Sequence, residues 1–362
     1  MGHQAGESTA SRPGHRATRL YLFVALAVVV LVGVVSGSYA LAQGFGPTTG
    51  TWTDLRASGQ LPDTDMLMTY DVAAGKVVVF FDSRGSVRMK TWAYDVRDNR
   101  FLELKTSGAK PTSYQAAMAY DESSGKVIRL GNVGATGRSD TWAYDSRTNT
   151  WTDLQPAVSP PAISGASMAY NPALGKVVLF GGMRNGPGKL TWNLTWAYDA
   201  ESNTWVDLRP TSSPTPRANA ALVYDEPSGR MILFGGADLS PTVVSEPFAT
   251  ELDDTWAYDA KSNTWTELQP IGTPPGRWCA TMAHDGASGK VILFGGTWSG
   301  GGFRDDTWAY DSRGNTWTEL HTAGSPPACA LALAFYDRIS GTVILCGGFG
   351  NDVYGLAWSF SL

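Results

Sequence analysis

The chain has 362 residues, of which 43% are hydrophobic and only 17% are charged, so it holds ample material for a large buried core and is not a disordered protein. Lysine and arginine number 28 against 33 aspartate and glutamate. This acidic balance lacks the basic footprint of a nucleic-acid-binding surface, and we expect no nucleic-acid partner.

Residues 1–42 have the pattern of a membrane-targeting segment. Three arginines precede an unbroken apolar run from Leu20 to Val35. The run falls between the length of a signal-peptide core and that of a full span, and Ala40-Leu41-Ala42 resembles a cleavage site. Two alternatives stay open, a signal peptide cleaved near Ala42 and a single transmembrane anchor at 20–42. In both, the rest of the chain is expected to be secreted or at the cell surface, after a short linker at 43–50.

Residues 51–362 are built from a repeat of roughly fifty residues. An apolar run after a tight turn precedes each copy of Thr-Trp-Ala-Tyr-Asp, and a short strand follows it. Successive tryptophans in this motif are 50, 54, 60 and 52 residues apart. The motif occurs at 91–95, 141–145, 195–199, 255–259 and 307–311.

Each unit is expected to form four strands, and no helical period appears after residue 43. The first and second strands are joined by Asp-x-x-x-Gly, as at Asp121 to Gly125, and the third and fourth by Asp-x-x-x-Asn, as at Asp145 to Asn149. An aspartate can hydrogen-bond the backbone of its own turn, while glycine or asparagine tolerates the left-handed conformation that closes it. These aspartates are therefore interpreted as turn caps and not as calcium ligands.

The repeat resembles that of the kelch family, which has a glycine pair after the second strand and then a tyrosine seven positions before a tryptophan. Gly235-Gly236 and the spacing from Tyr258 to Trp265 are examples, and the resemblance covers nearly all of 51–362. It implies a β-propeller, an all-β fold that hosts unrelated activities.

The two ends of the repeat region predict six blades. Thr51 to Leu55 has the pattern of a fourth strand with no unit before it, and the last unit stops after its third strand. The N-terminal strand is therefore expected to complete the final blade, which would hide two sheet edges. Ten of the fourteen tryptophans occupy repeat positions, and we interpret them as structural.

Loop lengths indicate which rim of the propeller could bind a partner. Turns between first and second strands, and between third and fourth, are short and share one rim, named here the short-loop rim. Connections between second and third strands are long and unlike one another at 183–194, 237–254 and 297–306, and they share the opposite, long-loop rim with the segments that lead into each blade. Variable loops on a rigid scaffold commonly carry binding. The predicted binding residues are Arg184, Trp192, Arg217, Arg277, Trp278, Trp298 and Arg304.

No catalytic motif or phosphate-binding glycine loop is present, so we assign no catalytic residue, metal or cofactor. Some secreted kelch relatives are copper-radical oxidases, but His284 and His321 are placed near opposite rims, which argues against one shared site. Kelch propellers also include sialic-acid mutarotases, whose reaction needs only an acid, a base and an arginine in the central cavity.

The sequence thus favours an exported or membrane-anchored, monomeric binding module for a protein or glycan. The alternative is a carbohydrate-modifying enzyme with its site at the channel mouth. The three cysteines are interpreted as small buried hydrophobic residues, with a bridge from Cys279 to Cys329 as the weaker alternative.

Overall fold

The computed structural model describes residues 49–59, 66–81, 90–112, 114–132, 139–184, 190–239, 250–350 and 356–362. The predicted targeting segment at 1–42 and the linker as far as residue 48 lie outside these ranges. Thr49–Leu362 forms one compact unit, and the described residues are strands, turns and loops without a helix. Within those same ranges, no helix has the length and apolar content needed to cross a membrane.

Six antiparallel four-stranded sheets form the blades of the propeller, as the repeat predicts. Blade 1 contains Met66–Asp71 (β2), Lys76–Phe81 (β3), Thr91–Asp95 (β4) and Arg100–Leu104 (β5). Blade 2 contains Tyr114–Asp121 (β6), Lys126–Asn132 (β7), Ser139–Asp145 (β8) and Thr150–Asp153 (β9). Blade 3 contains Ser167–Asn171 (β10), Lys176–Phe180 (β11), Thr195–Asp199 (β14) and Thr204–Asp207 (β15).

Blades 4 and 5 repeat this order, and blades 3 and 4 each carry an additional two-stranded ribbon. Blade 4 contains Ala221–Asp225 (β16), Arg230–Phe234 (β17), Thr255–Asp259 (β20) and Thr264–Leu268 (β21). Blade 5 contains Thr281–Asp285 (β22), Lys290–Phe294 (β23), Thr307–Asp311 (β24) and Thr316–Leu320 (β25). The ribbons are Met183–Arg184 (β12) with Leu190–Thr191 (β13), and Ala237–Asp238 (β18) with Thr250–Glu251 (β19).

The N-terminal strand closes the ring, which confirms the predicted closure. Blade 6 contains Leu333–Asp337 (β26), Thr342–Cys346 (β27) and Ala357–Ser361 (β28), and its fourth strand is Thr51–Asp54 (β1). β1 pairs antiparallel with β28, with Thr51 opposite Ser361 and Asp54 opposite Trp358. This pairing covers the edge of β28 and makes β1 the outer strand of blade 6, the place that the fourth strand has in every other blade.

The tryptophan of the fourth strand fills the wedge between neighbouring blades. Trp151, Trp205 and Trp265 are no more than 2% exposed. Burying one such side chain contributes on the order of 4 to 6 kcal/mol as an upper bound. Each indole Nε1 also donates a hydrogen bond to the threonine of the third strand in the preceding blade, as from Trp205 to Thr141 at 2.9 Å. The buried indole N–H is thereby satisfied at every such interface.

The turn between the third and fourth strands is held by its asparagine. Asn263 has a φ of 51°, accepts a hydrogen bond from the Tyr258 hydroxyl at 2.8 Å and donates one to the Leu208 carbonyl of the preceding blade at 2.6 Å. The aspartates act as the predicted turn caps, since Asp145 accepts from the Arg147 N–H at 2.9 Å. The repeated Asp-x-x-x-Asn spacing therefore shapes the turn, and its asparagine also joins two neighbouring blades.

Candidate functional site

The first strands of all six blades line a central channel that opens on both rims. On the long-loop side it widens into a cavity of about 240 Å³, and on the short-loop side into one of about 600 Å³. Met68, Met118, Met168, Leu222 and Met282 line both cavities and so lie at the level where they meet. The two mouths have different chemistry and are described in turn.

On the long-loop rim, the segment leading into a blade pairs with the residue that follows the glycine pair of the same blade. The bridged residues are Ser164 with Met183, Ala218 with Ala237, Trp278 with Thr297, and Ala330 with Phe349. The second glycine of the pair has positive φ, 95° at Gly236, and a side chain there would collide with the Ala218 carbonyl. Because glycine has no side chain, the pair allows the segment leading into the blade to approach the loop that follows the second strand. Both loops therefore lie on one rim, as predicted.

A belt of backbone hydrogen bonds runs along the side of the long-loop mouth formed by blades 3 to 6. Leu331 donates to Cys279, Cys279 to Asn219, and Asn219 to Gly165, at 2.7–2.9 Å. All four residues have positive φ, between 56° and 62°. Inside the belt, the described residues that line the cavity are alanine, methionine, leucine and small polar residues, with no charged side chain among them. The part of the mouth that the structure describes is therefore an uncharged, mostly apolar hollow.

Two of the predicted binding residues, Arg217 and Arg277, are internal braces of this rim. Their side chains are fully buried, and each guanidinium forms a two-pronged ion pair, Arg217 with Asp254 at 2.5 and 2.7 Å and Arg277 with Asp306 at 2.6 Å for both bonds. Arg277 also donates to the Gly295 carbonyl at 3.0 Å. Burial alone would raise the pKa of Asp306, but Arg277 and a hydrogen bond from Trp308 hold it below its ordinary value. These guanidinium groups are fully buried and fix the loops, and a binding role for Arg217 and Arg277 remains a prediction.

Trp278, Trp298 and Arg304 lie together on blade 5. The Arg304 guanidinium sits 4.8 Å from the centre of a Trp298 ring, a cation–π contact, and Trp298 rests against the backbone of Gly300 and Gly302. Trp278 and Trp298 are both half-buried. The structure therefore brings three of the seven predicted residues into one region.

Two phenylalanines and a leucine that the sequence did not single out extend this region onto blade 6. Phe303 contacts Phe349 edge to face, with ring centres 5.6 Å apart. Phe349 is 48% exposed and Leu331 46% exposed. We name Trp278, Trp298, Phe303, Leu331 and Phe349 the rim patch. A signal for it exists in the sequence, because Phe349 follows a glycine pair where blades 3, 4 and 5 have Met183, Ala237 and Thr297.

Arg184 and Trp192 belong to a separate region on blade 3. Arg184 is exposed on β12, whereas Trp192 is half-buried against the core between blades 2 and 3. Long loops flank both, and 185–189 and 240–249 lie outside the described residues. The binding role of these two residues remains a prediction.

All three cysteines are free thiols, so the structure contains no bridge from Cys279 to Cys329. Cys346 occupies the second-strand position at which other blades have Phe180, Phe234 and Phe294, and it is completely buried. Burial raises the pKa of the Cys329 thiol to about 12. Cys329 and Cys346 are therefore small core residues, as interpreted, whereas Cys279 is partly exposed and lines the long-loop mouth.

The short-loop mouth is aromatic and charged. The same position of each first strand supplies Tyr70, Tyr120, Tyr170, Tyr224, His284 and Tyr336. Two residues further along, Glu122, Glu226 and Arg338 also line the cavity, and Arg338 lies 3.7 Å from Glu226. His284 Nδ1 is 3.4 Å from the buried Asp225 carboxylate of blade 4. Carboxylates, a histidine and an arginine thus meet at this mouth, whereas the described lining of the long-loop mouth has none of them.

The fold and its repeat define a kelch-type β-propeller. Residues 171–362 match the family described as KLHDC2/KLHL20/DRC7 Kelch-repeats domain, which is more than half of the chain, and the chain belongs to the kelch-repeat family. Kelch propellers generally serve as protein-interaction modules.

Two plant proteins and one solved structure are similar to this chain. Adagio protein 3 of Arabidopsis thaliana is 30% identical over 159 residues, which cover 42% of this chain and 24% of that protein. Adagio-like protein 3 of Oryza sativa subsp. japonica is 28% identical over 127 residues, covering 34% of this chain and 19% of that protein. The matches therefore span less than a quarter of either relative's length. The solved structure of YjhT superimposes with a TM-score of 0.58 at 17% identity, covering 83% of this chain and 94% of that one, and shows the fold alone.

Proposed function

We propose that this chain is an exported or membrane-anchored kelch propeller that binds an extracellular protein through the rim patch and the apolar hollow beside it. The observation that carries the proposal is the exposure of Phe349 and Leu331 next to Trp278 and Trp298. Aromatic side chains around a hollow that an apolar side chain can fill are the usual centre of a protein interface.

The rim patch rests on a rigid base, which supports a binding role. The buried pair of Arg277 and Asp306 and the bridge between Trp278 and Thr297 both fix the loops of blade 5. Because these loops are already ordered by internal contacts, a partner would lose little free energy in immobilising them. Exposed aromatic rings could also bind a glycan, and the binding test therefore includes a glycan array.

Export is the part of the proposal that depends on the sequence alone. It rests on the three arginines and the apolar run from Leu20 to Val35. Expression of the chain with a C-terminal reporter, followed by protease treatment of intact cells and N-terminal sequencing, would distinguish a cleaved secreted form from an anchored one. Recovery of the whole chain in the cytosol would contradict export.

The binding test uses the full chain in detergent against a panel of secreted proteins and a glycan array. The test variant carries Trp298→Ala and Phe349→Ser, and the control carries Ile339→Ser, which replaces an apolar residue that is 69% exposed on the turn after β26. Loss of a protein ligand in the test variant alone supports the proposal. Equal binding by both variants, or a response to glycans only, contradicts it.

The alternative of a carbohydrate-modifying enzyme is favoured by one observation, the pairing of His284 with Asp225 beside Glu226 and Arg338. A histidine oriented by a carboxylate can act as a general base. Such an enzyme would use the short-loop mouth, because the long-loop mouth has no acid among its described lining residues. Measuring anomer interconversion of sialic acid and other sugars with wild type and His284→Tyr tests it directly.

A further inference from the structure

The short-loop mouth has the features of a binding site in its own right. Its cavity of about 600 Å³ is lined by residues from all six blades and is large enough for a small molecule. Five tyrosines and His284 form one ring of side chains at this level. Tyr120 is 8% exposed and the other members of the ring are half-buried, so the rings form the wall of the cavity rather than a solvated fringe.

The hydroxyls of Tyr70 and Tyr120 point to an aspartate of the preceding blade, while their rings line the cavity. Tyr70 donates a hydrogen bond to Asp337 of blade 6 at 3.1 Å. Burial and the nearby Asp71 carboxylate of blade 1 raise the pKa of Tyr120 to about 12. Tyr70 and Tyr120 are thus held by the aspartate that ends the first strand of the preceding blade, and His284 lies against Asp225 in the same way, whereas blade 3 has Asn171 at this position. These buried aspartates add negative charge beside the mouth.

The residues closer to solvent continue this pattern. Glu122 and Glu226 line the opening, and among the described lining residues Arg338 is the one lysine or arginine. Its charge is offset by Glu226 at 3.7 Å. Between Glu226 and Arg338, blade 5 has Gly286, against which the Tyr336 ring lies so closely that a side chain would not fit. This glycine keeps the opening wide on that side.

We propose that the short-loop mouth binds a small organic cation, an alkylated ammonium group enclosed by the tyrosine ring and balanced by Glu122 and Glu226. Aromatic rings attract cations through their negative faces, and nearby carboxylates add to the attraction. The ammonium group could be carried by a free small molecule or by a phosphocholine headgroup. This inference is independent of the protein-binding function of the opposite rim.

The test measures binding of choline, its uncharged isostere 3,3-dimethylbutan-1-ol, glycerophosphocholine and glucose to the full chain by saturation-transfer NMR and calorimetry. We expect choline to bind about tenfold more tightly than the isostere. Tighter binding of glycerophosphocholine than of choline would identify a headgroup as the source of the cation, and the reverse order a free molecule. Equal affinity for choline and the isostere, or binding of glucose alone, would overturn the proposal.

Substitutions of the charged residues at the short-loop mouth test whether the cation binds there. Replacing both Glu122 and Glu226 with glutamine should weaken choline binding several-fold, while Arg338→Gln should strengthen it because Glu226 loses its partner. Glu319→Gln, on the exposed face of β25 and away from both mouths, is the matched control. All four positions are exposed, so the variants should fold. Unchanged affinity in the double variant would place the cation elsewhere and refute the assignment.

Discussion

The indole Nε1 of Trp52 donates a hydrogen bond to the Thr307 hydroxyl at 2.9 Å, although the two residues are 255 positions apart. Trp52 lies on β1, so this bond fastens the start of the propeller to blade 5. The same bond joins Trp317 to Thr255 and Trp265 to Thr195 between consecutive blades. The closing strand therefore uses the contact that the rest of the ring uses, and its sequence differs little from an ordinary fourth strand.

The first prediction concerns this closing contact. Thr307→Val keeps the shape of the side chain but leaves the buried Trp52 N–H without its acceptor, and we expect a loss of about 1–3 kcal/mol in the free energy of unfolding. Urea titration followed by tryptophan fluorescence measures it. Thr53→Val, at an exposed position next to Trp52 on β1, should stay within about 0.5 kcal/mol of wild type. A Thr307→Val protein as stable as the control would show that the bond does not hold the ring closed.

The interface between blades 6 and 1 replaces this contact with an apolar one. Phe101 stands where other blades have the tryptophan, Ala357 where they have the threonine, and Cys346 where they have phenylalanine or leucine. All three are buried in one cluster. The indole donor and the threonine acceptor of the other interfaces are both missing here, so neither group is left buried and unpaired.

A double-mutant cycle tests that interpretation. Ala357→Thr alone should cost about 1–3 kcal/mol, because its hydroxyl is buried without a partner. Phe101→Trp alone should also destabilise, since it adds volume and an unpaired N–H. We expect the double variant to recover about 1 kcal/mol or more relative to the sum of the two, measured by urea unfolding. Strict additivity would mean that the two side chains do not meet.

Much of this architecture could be predicted from the sequence because its causes are local. The turn aspartates, the glycine pairs and the alternation around each tryptophan act within a few residues, and they give the strands, the six blades and the closure. The burial of Arg217 could not be predicted in this way, since its partner Asp254 lies 37 residues away on another loop. The tyrosine ring was also missed, because Tyr70 and Tyr120 are ordinary strand residues until closure brings them around one axis.

One sequence signal could have identified the buried arginines. Aspartate directly precedes Thr-Trp at Asp140, Asp254 and Asp306, and each of the three pairs with a buried arginine. The arginine is Arg129 of the second strand in blade 2, and Arg217 and Arg277 of the leading segments in blades 4 and 5. Blade 3 has Ile163 and Leu194 at the corresponding positions, and blade 6 has Cys329 and Leu356. The fourth-strand tryptophans are buried as expected, whereas most of those on third strands are only half-buried.

The half-buried turn asparagine Asn263 gives a further prediction. Asn263→Ala forces a left-handed backbone on alanine and removes the bonds to Tyr258 and Leu208, so we expect a loss of about 2–4 kcal/mol. Asn263→Gly restores the backbone freedom but not the bonds, and it should be less destabilising by about 1 kcal/mol. Thermal unfolding of the two variants compares these contributions. A glycine variant as unstable as the alanine variant would assign the whole effect to hydrogen bonds.

The last prediction concerns the brace beneath the rim patch. Arg277→Leu leaves the Asp306 carboxylate largely buried without its partner, and we expect a loss of about 3 kcal/mol. Replacing both Arg277 and Asp306 with leucine imitates the apolar pairs of blades 3 and 6 and should be markedly more stable than the single variant.

The same pair makes stability depend on pH in a defined direction. The folded-state pKa of Asp306 lies below its ordinary value of about 3.9, so the stabilisation is present above that value and is lost as pH falls through the lowered pKa. Wild type should therefore lose stability more steeply than the Arg277→Leu/Asp306→Leu variant when urea unfolding is repeated between about pH 5 and pH 2. Parallel pH profiles would show that the ion pair does not contribute to folding, and the rigid base proposed for the rim patch would then rest on the backbone bridges alone.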